Sequence, residues 1–175
     1  MMSKVLQKVL LSLACNRSQE SWVAGSVVMA QFISRVPHDI DIHHHSSAAF
    51  EEAVKRDTQT LLHQGFWIES QCPTGSELEI TFADSDAAIR MNWVLELGLP
   101  SRLIDDAFIG MRASLTDVVY RKIQMYRVDR NPKHTSDLAD LLANPHSILF
   151  DFELPTVETM LRELGLVRAK DLFKP

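Results

Sequence analysis

The chain has 175 residues, 46% of them hydrophobic and 23% charged, and its formal net charge is −5 at pH 7. This composition is typical of a globular protein with a single core. No apolar run is long enough to predict a membrane span. The acidic balance excludes a protein that is coated on all sides with phosphate-binding charge.

Residues 3–15 predict an amphipathic helix, because their apolar positions recur at helical spacing. Lys4 and Lys8 interrupt the apolar run that a signal peptide requires, so we predict a cytoplasmic protein. Cys15 and Cys72 lack the spacing of a metal-binding pair and are predicted to be free thiols in a reducing compartment.

The apolar residues 22–24 predict a buried strand that reaches a tight turn at Gly25 and Ser26. A glycine lets another group approach the backbone closely, and Ser26 is a candidate N-cap for a helix over 26–34 that ends before Pro37. The backbone N–H groups at the start of such a helix can hold a phosphate.

The stretch "RVPHDIDIHHH", residues 35–45, predicts a strand over 38–43 with two aspartates on one face. Strand side chains at i and i+2 project to the same side, about 6.6–6.8 Å apart, so Asp39 and Asp41 point together while the intervening isoleucines enter the core. Two carboxylates held in this way repel each other unless a cation lies between them. We predict Mg²⁺ (or Mn²⁺), since hard cations prefer oxygen ligands and a pair of them can activate an attacking oxygen.

The three consecutive histidines allow two interpretations. A His-rich tract can bind transition metals, but adjacent strand positions face opposite sides, so His43, His44 and His45 cannot converge on one ion without a bend. A structural role is therefore favoured. The functional alternative is that His43, on the face of Asp39 and Asp41, contacts a substrate.

Residues 46–66 predict a helix with a serine N-cap and Gly65 as its stop. A strand is predicted at 66–72, and the alternation over 76–96 predicts a β-hairpin that turns at 84–86.

Helices are predicted over 114–128, 135–145 and 156–165. The order of elements predicts an α+β fold, in which a small mixed β-sheet has flanking helices and a helical C-terminal part. We divide the chain into an α/β core with its N-terminal helix, residues 1–100, and a helical part, residues 101–175, that packs with the core as one unit.

The stretch "VAGSVVMAQFISRVPHDIDIH" resembles the nucleotidyltransferase superfamily of polymerase-β-like fold. The signature of that superfamily is Gly-Gly or Gly-Ser, a spacer, and two aspartates that alternate with apolar residues; the spacer here is 27–38. The resemblance implies that Asp39 and Asp41 are catalytic residues that bind the metal. It also implies that Gly25 and Ser26 face the triphosphate of an NTP.

A second stretch, "SLTDVVYRKIQMYRVDRNPKHTSDLADLL", is similar to AbiEii/AbiGii toxin-type nucleotidyltransferases. In those proteins a helix carries a lysine, and an acidic run opens the next helix. Lys122 matches the lysine, and Asp137 and Asp140 match the acidic run, so the resemblance implies that Lys122 and Asp137 bind the nucleotide. The two stretches extend the resemblance over residues 20–145.

The family carries a third carboxylate on a later strand, and two strands compete for that place. If the strand is "AIRMNWV", the position is Asn92, which cannot act as a base. If it is "ELEITF", Glu79 or Glu77 supplies the acid.

Two functions follow from the resemblance. One is metal-dependent transfer of NMP from an NTP to the hydroxyl of an acceptor, which is a tRNA, a protein or a small molecule. The other, motivated by Asn92, is a catalytically impaired binding or regulatory module, such as one half of a toxin–antitoxin-like pair with a protein partner. The basic residues between 112 and 133 suit a nucleic-acid acceptor or merely solvate the surface.

Overall fold

The computed structural model describes residues 2–143, and they confirm the predicted α+β fold. The α-helices in this range are α1 (Lys4–Leu13), α2 (Ser47–His63), α3 (Leu115–Asp129) and α4 (Pro132–Ala143). The strands are β1 (Ser21–Ala24), β2 (Asp39–His44), β3 (Trp67–Thr74), β4 (Glu77–Ala83), β5 (Ala88–Leu95), β6 (Leu103–Asp106) and β7 (Gly110–Ala113). The helix predicted over 156–165 lies outside the described residues.

The strands form one mixed sheet in the order β3-β4-β5-β2-β1-β7-β6. β2 is parallel to β5 and β1 is parallel to β7, whereas the other neighbouring strands are antiparallel. The predicted mixed sheet is therefore confirmed. β2, which carries the two aspartates, lies at its centre between β1 and β5.

One face of the sheet packs against α1 and α2 and forms the core. Ile40 and Ile42 of β2 are at most 1% exposed there, and Trp93 of β5 is fully buried beside them. α1 contributes Leu6 and Val9, which are also fully buried. Because these apolar side chains occupy alternate strand positions, the other face of the same strands is left for polar residues.

The helix ends follow the capping signals in the sequence. Ser46 Oγ accepts a hydrogen bond from the Ala49 N–H over 3.2 Å at the start of α2, and Gly65 adopts a φ of +87° just after its end. Among the described residues, no helix combines the length and the apolar character that crossing a membrane requires.

The helix predicted over 26–34 is confirmed only in its first turn, and as a different type of helix. The chain instead forms a short 3₁₀ helix, Gly25–Met29, followed by turns and bends. Val27, Val28 and Met29 are all buried, since this segment lies among β1, β2 and α3. A segment that is apolar on every side has no polar face to turn towards water, so the amphipathic pattern of a longer surface helix is missing.

Residues 103–113 also differ from the prediction of a helical part that begins at 101. They form the β6–β7 hairpin, and β7 extends the sheet by pairing with β1. The hairpin turn is held by Asp106 Oδ1, which accepts from the N–H groups of Phe108 and Ile109. The helical part therefore begins only at α3.

Candidate active site

β2 presents Asp39, Asp41 and His43 on the face opposite the core. Burial alternates along the strand, because Ile40 and Ile42 enter the core while the three polar residues stay half-buried. The predicted common face of the two aspartates is thus confirmed. Burial, together with the neighbouring charge of Asp39, raises the pKa of Asp41 above its ordinary value, so a cation placed here would relieve an unfavourable charge.

The strand register brings Asn92 next to Asp41. β5 pairs Asn92 with Asp41 on one side, and β4 pairs Glu79 with Asn92 on the other. Asn92 Nδ2 donates to Asp41 Oδ1 over 3.4 Å. Both candidate positions for the third acid share the face of Asp41, but Glu79 lies one strand farther away. The adjacent place holds an amide, which supplies neither a negative charge nor a base.

The turn after β1 approaches Asp41 from the other side. Ala24 pairs with Asp41 across the strands, and Gly25 follows with a φ of +68°. A Cβ atom at Gly25 would overlap Asp41 Oδ2, so this position requires glycine for both its backbone conformation and its space. The structure thus brings the Gly25–Ser26 turn against the carboxylate, with the Ser26 side chain buried.

Arg90 of β5 carries a positive charge onto the same face. It pairs in register with Asp39. Its guanidinium lies 3.6 Å from Asp39 Oδ2 and 3.6 Å from Glu79 Oε2. The Arg90 side chain is 47% exposed, so water screens both ion pairs. One guanidinium therefore joins an aspartate of the pair to one candidate for the third acid.

Lys122 and Asp137, both predicted to bind nucleotide, form an ion pair with each other. Lys122 Nζ donates to Asp137 Oδ2 over 2.8 Å, and Arg35 donates to both Asp137 oxygens over 2.6 and 2.7 Å. Burial opposes ionisation of Asp137, but the bonds from Arg35 and Lys122 outweigh it and lower the pKa of that carboxyl. Asp137 is thus the residue that positions two cations.

The two cations act electrostatically on the acidic pair. The charge of Lys122 favours the ionised form of Asp41, and the charge of Asp39 acts in turn on Arg35. Asp140, the second residue of the predicted acidic run, has different partners from Asp137. It accepts hydrogen bonds from the backbone N–H and the hydroxyl of Ser34 over 2.7 and 2.6 Å. α4 is thereby tied to the segment that leads into β2.

The histidines divide between the two faces, as the strand alternation predicted. His43 Nδ1 lies 3.0 Å from Glu96 Oε1, and Arg121 lies 3.3 Å from the same oxygen. His44 faces the core and is fully buried. It lies 3.1 Å from the Ser21 hydroxyl and 3.3 Å from the Val94 carbonyl. Of these two histidines, only His43 shares the face of the aspartates.

Sequence reasoning missed Arg35, Arg90 and Glu96 as members of this site. Arg90 left a readable signal, because strand alternation puts it on the same face as Asn92 two positions later. For Arg35 the sequence contains no such signal, since its partner Asp137 is 102 residues away along the chain.

The donor set fits one Mg²⁺ that shares a bound nucleotide. Asp39 and Asp41 offer two carboxylates on one strand face, and the repulsion between them is one of the causes that raise the pKa of Asp41. Across residues 2–143, no three His, Cys, Asp or Glu side chains are arranged to hold a metal ion by themselves. Mg²⁺ commonly binds one or two carboxylates and completes its coordination with water and substrate phosphates, which this arrangement allows.

The architecture is similar to solved structures, one of which is described as a putative nucleotidyltransferase and another as a polyadenylate synthase. A "putative nucleotidyltransferase from H. pylori" aligns with a TM-score of 0.64 and 13% identity, over 97% of this chain and 76% of its own. JHP933 from Helicobacter pylori aligns with a TM-score of 0.65 and 13% identity, over 98% and 78%. The Megavirus polyadenylate synthase aligns with a TM-score of 0.50 and 11% identity, over 93% of this chain and 36% of its own.

No protein-family model matches the sequence, and no curated protein matches it significantly. Sequence identities of 11–13% carry information about the fold alone. On that evidence, the chain has the nucleotidyltransferase fold.

Proposed function

We propose that the protein is a metal-dependent nucleotidyltransferase that transfers NMP from an NTP to the hydroxyl of an acceptor. The observation that carries the proposal is the pair Asp39 and Asp41 on one strand face, with Asp41 against the backbone of Gly25. A carboxylate pair that favours a cation, beside a turn that only glycine permits, suits the binding of a metal and a polyphosphate together.

Each residue of the site has a role in this proposal. Asp39 and Asp41 would hold Mg²⁺ (or Mn²⁺), which neutralises phosphate charge when it is bound. The turn at Gly25 and Ser26 would face the triphosphate. Lys122, held by Asp137, would add a positive charge near the phosphates. Since this cation is already positioned, little ordering is needed when the nucleotide binds.

In the proposed reaction the acceptor oxygen attacks the α-phosphate, the bond to pyrophosphate breaks, and the acceptor proton passes to water. Asn92 cannot take that proton. Catalysis would therefore depend on orientation and on charge neutralisation.

A titration of Mn²⁺ and an NTP tests the site directly. We expect the Asp39→Asn and Asp41→Asn variants to bind Mn²⁺ in the presence of NTP at least about tenfold more weakly than wild type. Asp105→Asn is the matched control, because Asp105 is an exposed aspartate on β6. Equal Mn²⁺ binding by wild type and both site variants would remove the proposed site.

The amide of Asn92 favours a second candidate function. Because it takes the place beside Asp41, the fold would serve as a binding or regulatory module with impaired catalysis, such as one half of a toxin–antitoxin-like pair. The AbiEii-like motif at Lys122 supports that subtype. A screen of labelled NTPs against tRNA, protein and small hydroxyl acceptors separates the two functions. Transfer that disappears in Asp39→Asn would eliminate the impaired module.

A further inference from the structure

On strands β2, β4 and β5, Arg90 is the basic side chain that lies among the carboxylates of the acidic face. Arg90 contacts Asp39 and Glu79, each at 3.6 Å, and Asn92 separates Glu79 from Asp41 in the strand register. From this arrangement we propose that the site takes one divalent cation per chain, and that the Arg90 guanidinium takes the place of a second divalent cation towards the nucleotide phosphates. This inference rests on the proposed nucleotidyltransferase function.

A second divalent ion would lack ionised ligands here. Two ions that act together lie about 3.5–4 Å apart, and each needs carboxylate oxygens to offset their mutual repulsion. Asn92 directs its N–H group, and no negative charge, towards Asp41. Glu79, the remaining acid in that row, lies one strand beyond Asn92 and shares the Arg90 guanidinium with Asp39. A second dication would therefore lie beside a cation that the protein itself provides.

Arg90 is suited to the task of that missing ion. Its place is determined by the sheet, because β5 pairs Arg90 with Asp39 in parallel register. The side chain is 47% exposed, so N–H groups remain accessible to a ligand. A guanidinium presents its donors in a planar fork that matches two phosphate oxygens. A guanidinium, unlike a second divalent cation, also needs no coordination shell. The neutral Asn92 could not supply a charged ligand to such a shell.

The Arg90 charge and the single dication would act on different parts of the substrate. The dication would lie between the carboxylates of Asp39 and Asp41, the second of which faces the Gly25 turn. Arg90 lies on the opposite side of Asp39, towards β4. We therefore infer that Arg90 is a phosphate-binding residue and that Glu79 positions its guanidinium.

Electron paramagnetic resonance of Mn²⁺ counts the bound ions without any turnover. The titration uses wild-type protein with α,β-methylene ATP, and then with α,β-methylene GTP, as non-reacting nucleotides. We expect one Mn²⁺ per chain in wild type and in Arg90→Gln. Two Mn²⁺ per wild-type chain would overturn the inference and leave the proposed function standing. Equal Mn²⁺ binding by wild type and Asp41→Asn would overturn both.

Calorimetric titration of the same nucleotide analogues tests the role of Arg90. We expect Arg90→Gln to weaken nucleotide binding about tenfold, and Arg90→Lys to recover part of the loss because it keeps the charge but not the fork. Arg56→Gln is the matched control, since Arg56 lies on α2 at the other face and pairs only loosely with Glu52. Unchanged nucleotide affinity in Arg90→Gln would refute the assignment. Circular dichroism of each variant verifies that the sheet is intact.

Discussion

At the scale of single residues, the carboxylate of Asp41 is confined by the backbone of Gly25. We predict that Gly25→Ala weakens Mn²⁺ binding in the presence of NTP and lowers the free energy of unfolding. A left-handed backbone costs about 1–2 kcal/mol for a residue with a Cβ atom, and here the added atom also overlaps Asp41 Oδ2. Thermal unfolding and a Mn²⁺ titration measure the two effects.

Gly75→Ala is the control for this prediction. Gly75 has a similar φ of +58°, but nothing lies within 4 Å of an added Cβ atom. It should therefore show the backbone cost without any loss of Mn²⁺ affinity. If both alanine variants bind Mn²⁺ as wild type does, Gly25 does not shape the site.

His44 gives a prediction about pH. Burial, and then the nearby Arg17 charge, lower the pKa of His44 to about 4 in the folded chain, compared with about 6.5 in an unfolded one. Between these values the unfolded chain takes up a proton that the folded chain refuses. The stabilisation is therefore complete above pH 6.5 and is lost as the pH falls towards 4.

Urea unfolding from pH 7 down to pH 4.5 measures this loss. We expect the free energy of unfolding of wild type to fall by about 2–3 kcal/mol more than that of His44→Gln over this range. His45→Gln, at an exposed neighbouring position, should follow wild type. Parallel curves for wild type and His44→Gln would contradict the buried neutral imidazole.

These residues also show what a sequence can predict about a site. The common face of Asp39 and Asp41 follows from strand geometry alone, because the period of two is the same in every strand. The partners of that pair depend on strand register and on contacts between distant segments. Asn92 and Glu79 therefore stayed rivals in the sequence, and only the order β4-β5-β2 places Asn92 beside Asp41.

At the scale of elements, one buried carboxylate joins α2 to its neighbours. Asp57 of α2 accepts from Arg17 over 2.5 and 2.6 Å, from Asn16 over 2.9 Å and from the Trp93 indole over 2.9 Å. Asp57 is fully buried and Arg17 nearly so. The ion pair thus links α2 to the segment after α1, and the indole hydrogen bond links α2 to β5.

We predict that Asp57→Asn lowers the free energy of unfolding by about 3–5 kcal/mol, because it leaves the buried Arg17 charge without its partner. Urea denaturation measures the change. Glu52→Gln on the same helix is the control; its ion pair with Arg56 is 3.9 Å long and largely exposed, so it should cost less than about 0.5 kcal/mol. A similar small cost for Asp57→Asn would mean that the network does not tie these elements together.

Elements with strong periodicity or clear caps were predictable, and short buried ones were not. α1, α2 and α3 each have an apolar stripe and a serine whose side chain caps the first turn. β6 spans four residues, "LIDD", with no full alternation. Its pairing depends on β7, which in turn needs β1 from the other end of the chain. Such non-local pairing leaves little local signal.

At the scale of the whole molecule, the basic stretch between residues 112 and 133 is divided by the fold. Arg112 and Lys122 are buried and form ion pairs with Asp106 and Asp137. Four of the six basic residues are left on the surface, namely Arg121, Arg127, Arg130 and Lys133. Arg121 is already paired with Glu96. The cationic surface is therefore smaller than the sequence count suggested, and the net charge of the chain is −5.

We predict that tRNA binding, measured by fluorescence anisotropy at several salt concentrations, depends only weakly on salt. Each phosphate contact contributes a slope of about −0.7 to −0.9 to log affinity against log salt. If Arg127, Arg130 and Lys133, which form no ion pair among the described residues, all contacted phosphate, the slope would be about −2.1 to −2.7. Because the chain as a whole is acidic, we expect fewer contacts and a slope shallower than about −1.5. The double variant Arg127→Gln/Lys133→Gln should change this slope little.

A slope near −3 that is reduced in the double variant would instead identify this surface as the binding site of a nucleic-acid acceptor. A flat response would favour an acceptor with few charges, because binding it would displace few counterions.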